Sequence, residues 1–182
     1  MNRSFCRLLL VLALTLSAVS SASQSNSLAT LAASPHLRQI TGCAGLIFTG
    51  QVLSVAPIRP DGSDQISSIE ITFQVEQGLR GPKTGQRFSI HEWPGLWRSE
   101  ERYRVGQRMM IFLYPPSSLG FTSPVSGSAG RYDIDRDGQI SVKPVHLPIP
   151  PTGPRPIRAP ADPRVPLRTF SRAIRQLMEE SR

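Results

Sequence analysis

The sequence predicts a mainly β domain: a small barrel of five or six strands, followed by a proline-rich strap and one C-terminal α-helix. Three observations carry that prediction. Ser68 to Gln77 alternates without a break, setting Ile69, Ile71, Phe73 and Val75 against Ser68, Glu70, Thr72, Gln74 and Glu76, so one face is buried and the other wet. Leu46 to Val55 reads as one long strand with Gly50 in its middle. Leu46, Phe48 and Val52 share one parity, and Leu53 and Val55 fall on the other. A bulge or close backbone approach at Gly50 permits that slip and bends the strand, as a strand shared by two halves of a barrel must bend. Finally, Leu167, Phe170, Ala173, Ile174, Leu177 and Met178 form an apolar stripe at helical spacing.

The chain of 182 residues is long enough for one domain with a single core. Its first 23 residues are expected to be a leader rather than part of the fold. Arg3 and Arg7 precede the apolar run Leu8–Leu16, and the small residues Ser17–Ser23 follow it. This is the three-part pattern of a secretory signal peptide, cleaved after Ser20 or Ser23. The apolar run is too short to span a bilayer, which takes about 20 residues. Without residues 1–23 the formal charge falls from +8 to +6 and Cys43 is the only cysteine left. No intrachain disulfide can then form, so the core must suffice, and Cys43 is expected to be buried.

The domain is expected over residues 24–143. A short helix is expected at 27–33 or 36–42. Pro57 to Asp64 reads as a loop and Gly81 to Gly85 as a turn. Arg87 to Glu92 reads as a third strand with Phe88 and Ile90 inward and His91 outward. Trp93 to Gln107 is a longer connection with room for a helical turn at 96–103. Arg108 to Tyr114 is apolar without alternation, as in a strand buried on both faces. Pro115 to Gly130 is a long loop rich in proline, serine and glycine, and Arg131–Asp135 with Gln139–Lys143 reads as a hairpin. Between Pro144 and Pro166, 9 of 23 residues are proline, which rules out regular sheet or helix and predicts an extended strap over 144–165. Pro166 then fits the first turn of a helix over 166–180, with an Arg175–Glu179 pair on its polar side. That helix is expected to dock on the barrel.

Candidate chemistry is sparse. Asp133, Asp135 and Asp137 with Gly138 match the opening of a calcium loop, but the twelfth position, a bidentate glutamate in such loops, is Pro144. The same residues read as a hairpin turn at Asp137-Gly138. His91-Glu92 opens like a zinc-protease motif, yet Gly95 stands where the second histidine belongs, and His36, His91 and His146 are scattered. Ser126 to Gly130 approaches a nucleophile elbow without the strand that should lead into it. Trp93, Trp97 and Tyr103 cluster in one connection, either as a stacking or carbohydrate-type ligand surface or as a lid over the barrel's open end. Arg168, Arg172 and Arg175 give the final helix a basic face suited to an anionic surface.

Leu46–Val52, Ile71–Val75 with Leu79-Arg80-Gly81, and Tyr103–Arg108 running into Ile111-Phe112-Leu113 together resemble bacterial exported proteins with a netrin-like domain. That domain is the oligonucleotide/oligosaccharide-binding (OB) barrel of tissue inhibitors of metalloproteinases. The resemblance spans roughly residues 40–114 and implies a small Greek-key barrel. Those inhibitors reach a protease zinc through an N-terminal cysteine, whereas Cys43 lies about twenty residues into the mature chain, so no inhibitory residue transfers. The expectation is an exported, non-enzymatic binding module for a protein or envelope component, with no cofactor and no nucleic-acid partner. A metal- or calcium-dependent envelope enzyme and a structural envelope protein are the alternatives.

Overall fold

Alternating apolar positions set which strands meet and which faces they bury. A computed structural model describes residues 30–62, 64–98, 103–142 and 163–181. The expected leader and nearly all of the strap lie outside the described residues. Helix α1 (Pro35–Cys43) is capped by Ser34, whose hydroxyl accepts from the Leu37 N–H. Strands β1 (Leu46–Ile58), β2 (Ser68–Arg80), β3 (Arg87–Glu92), β4 (Arg108–Leu113) and β5 (Arg131–Asp133) form one antiparallel sheet in the order β3-β2-β1-β4-β5. A second, two-stranded sheet pairs β6 (Gln139–Ser141) with β7 (Arg164–Pro166), and helix α2 (Leu167–Glu180) follows directly.

The central strand shows the close approach expected at Gly50 but places its parity slip elsewhere. The pairing of β1 with β2 shifts register at Ile47/Phe48, at Thr49/Gly50 and again at Val52/Ser54. At Gly50 a Cβ would lie 2.7 Å from the Gln74 carbonyl oxygen, so only glycine lets the backbones approach. The last shift returns Val55 to the side of Phe48 and Val52, where all three pack in one cluster. The parity slip therefore falls at Leu53, three residues beyond Gly50.

The first half of β1 and nearly all of β4 are buried on both faces, and two cores result. On one face Phe48, Val52, Ile71, Phe73, Met109 and Ile111 pack together. On the other, Ile47, Met110 and Phe112 meet Ile40 of α1 and Phe170 and Ile174 of α2. The apolar stripe of α2 is thus docked, each large side chain contributing about 1.5–3 kcal/mol by leaving water. Its expected Arg175–Glu179 pair is not formed; instead Glu180 reaches Arg38 of α1 at 3.3 Å.

Four expectations are corrected. The barrel is not closed: β3 and β5 are the edges of an open sheet, and between β4 and β5 the chain makes only the single bridges His91–Phe121 and Leu113–Pro124. Pro115, Pro116 and Pro124 interrupt the supply of N–H donors that a continuous ladder needs. The 131–143 hairpin survives only as its turn and an Ile134–Ile140 bridge, because β5 pairs with β4 and β6 pairs with β7. Arg164 and Val165, assigned to the strap, belong to β7. Cys43 is exposed, because Leu37, Ile40, Thr41 and Ala44 occupy the buried face and leave it outside.

Candidate functional site

The aromatic connection after β3 divides at its first residue. Alternation along β3 sends Phe88, Ile90 and Glu92 inward, and Glu92 is 3% exposed. Trp93, the first residue past the strand, turns outward and is 62% exposed. A 3-10 turn over Pro94–Arg98 carries the chain away. Trp97 lies within it, and its side chain is outside the described residues.

Tyr103 returns into the core and lies edge-on to Phe73 at 5.9 Å. Its hydroxyl donates to Glu92 Oε1 at 2.6 Å, and the Arg131 guanidinium lies 4.2 Å from the centre of its ring. Burial pushes the Tyr103 phenol well above its ordinary range, the Glu92 carboxylate pushes it further, and Arg131 opposes them. Of the three aromatic residues singled out in this connection, Tyr103 is buried, away from the exposed Trp93. Glu92 and Arg131 hold this buried ring, a pairing that the sequence pattern did not assign. For Glu92 the signal was present, since it shares parity with Phe88 and Ile90.

Trp93 instead belongs to a rim built from three loops. It forms one wall of a shallow cleft of about 460 Å³ with Pro60 and Ile66 from the β1–β2 loop. From the β4–β5 connection Phe121 meets it edge-on, with ring centres 6.2 Å apart. Leu96 and Leu119 are exposed on two of the same loops. The Thr122 N–H donates to the His91 carbonyl, which ties the β4–β5 connection to the end of β3. The His91 side chain faces solvent, 3.7 Å from Glu70.

The three aspartates of the calcium-like loop do not converge. Asp135 Oδ1 accepts from the Asp137 and Gln139 N–H groups, and its Oδ2 lies 3.4 Å from Arg164. Asp133 accepts from Gln107, on the far side of the turn. Gly138, at a φ of 70°, closes a tight turn there. Among the described residues no three His, Cys, Asp or Glu side chains gather where a metal could be held. Arg168, Arg172 and Arg175 lie on the exposed side of α2, without an ion pair among the described residues. No described helix is long and apolar enough to cross a membrane.

Comparison with protein families and with curated proteins finds no match for this chain.

Proposed function

We propose that the chain is an exported binding module built on a partly open, OB-like Greek-key barrel, and that it binds a protein partner through the Trp93 rim. The carrying observation is the exposure of Trp93, 62%, beside Phe121 and Ile66 on loops that the sheet holds in place. A large aromatic left wet and flanked by apolar residues is the composition of an interface anchor. The OB-like reading is supported by the bridges at Phe121 and Pro124, which set residues 121–124 between β3 and β4, where a partly open barrel needs its last strand. Export rests on the charged, apolar and small-residue pattern of residues 1–23.

Site-specific photo-crosslinking tests the rim. A photoreactive residue at Leu119 or Leu96 should trap one common partner in the producing cell, and Trp93→Glu should abolish the adduct. Equal trapping from Arg172, or adducts unaffected by Trp93→Glu, would remove the rim from consideration. Sequencing the N-terminus of the mature protein tests export separately: it should begin at Ser21 or Gln24, and a chain beginning at Met1 would refute the leader.

A further inference from the structure

A second cleft, of about 480 Å³, lies on the α2 side of the sheet, beneath the first turn of the helix. Thr49 of β1 and Gln77 of β2, paired in register, form its floor, and Gly138-Gln139 and Leu167-Arg168 stand around it. The Thr49 side chain is fully buried, and its Oγ1 has no hydrogen-bond partner among the described residues. Valine has the same shape and would fill that space without burying a hydroxyl, whereas an unpartnered buried hydroxyl costs free energy that a bound acceptor would recover.

Other groups donate toward the same space. Helix α2 starts without a side-chain cap and without an acidic residue in its first turn. The Leu167 N–H is taken by the Gly138 carbonyl, which leaves the next N–H groups, those of Arg168 and Thr169, at the positive end of the helix. Arg168, exposed on the first turn, is among the residues that line the cleft. Gln77 uses its oxygen to accept from Ser171, so its amide NH₂ remains as a donor. Two carboxylates also line the cleft. Glu76 is held by Arg108 through two contacts of 2.7 and 2.8 Å, and Asp137 is exposed at the edge. Donors prevail at the floor while an acid stands at the mouth. This arrangement suits a singly charged oxyanion and disfavours a doubly charged one.

We propose that this cleft binds the carboxylate of a small ligand, held by Arg168, the first free N–H groups of α2 and the Thr49 hydroxyl. The proposal is independent of the Trp93 rim.

Amide chemical shifts followed during titration with acetate, against chloride at matched ionic strength, test it. Saturating shifts should gather at Thr49, Arg168 and Thr169. Thr49→Val and Arg168→Ala should each weaken binding roughly tenfold or more, the loss of one charge-assisted hydrogen bond. Arg172→Ala, on the same helix outside the cleft, should titrate like the parent. Thr49→Val should also melt no lower than the parent, because it removes an unpartnered hydroxyl. Shifts that never saturate or that spread over all arginines, tighter binding of sulfate than of acetate, a Thr49→Val variant that titrates like the parent, or one that melts lower would each overturn the assignment.

Discussion

Tyr103 and Glu92 share a 2.6 Å hydrogen bond in a place neither side chain shares with solvent. The bond fastens the connection after β3 to the strand it leaves. Tyr103→Phe should lower unfolding free energy by about 1–3 kcal/mol, because the buried carboxylate loses a donor while the ring packing stays. Glu92→Gln keeps an acceptor for the phenol and should lose less. Urea denaturation of both variants checks the order.

Alkali should unfold the protein through its buried phenols. Burial raises Tyr132 from 10.0 to about 12, so the unfolded chain releases this proton first. Stability is therefore complete below pH 10 and declines as pH climbs to about 12, by about 2–3 kcal/mol from this group. Tyr103 shifts in the same direction and adds to the loss. Tyr132→Phe should flatten the decline in a pH series of denaturation midpoints while keeping the ring contacts to Phe112 and Phe170.

Phe170 is the anchor of α2, fully buried and 5.0 Å from the Tyr132 ring. Phe170→Ala should cost about 3–5 kcal/mol, whereas Arg172→Ala on the exposed side should stay within about 0.5 kcal/mol. If removing residues 164–182 leaves the melting temperature unchanged, docking contributes nothing.

Two glycines should answer alanine with opposite signs. Gly50→Ala drives a Cβ against the Gln74 carbonyl and should destabilise by about 1–3 kcal/mol. Gly42 sits in α1, and a Cβ added there would meet nothing within 4 Å, so Gly42→Ala should stabilise by about 0.5–1 kcal/mol. Thermal melts of the pair decide both.

Much of the fold was legible because burial left a period in the sequence. The alternation of Ile69, Ile71, Phe73 and Val75 located β2, the unbroken run from Met109 to Leu113 foretold a strand covered on both sides, and the α2 stripe named its buried members. The barrel's closure was not legible, because a ladder depends on donors along the β4–β5 connection and its prolines supply too few. Cys43 was misplaced by the general tendency of cysteine to be buried, although Leu37, Ile40 and Ala44 already defined a face that excludes it. At the candidate site, Trp93 could be found by residue type. The Tyr103–Glu92 bond spans eleven residues and a change of direction, which no local pattern records.

The core beneath α2 draws on both flanks of the described chain: Leu37 and Ile40 come from one, Phe170 and Leu177 from the other, and Arg38 meets Glu180 across them. Contacts so distant in sequence carry a large loop-closure entropy, which slows folding. During synthesis, the part of this core that Phe170, Ile174 and Leu177 cover stays open until the chain has grown past Leu177. A nascent chain halted earlier should thus be a substrate for proteases and chaperones.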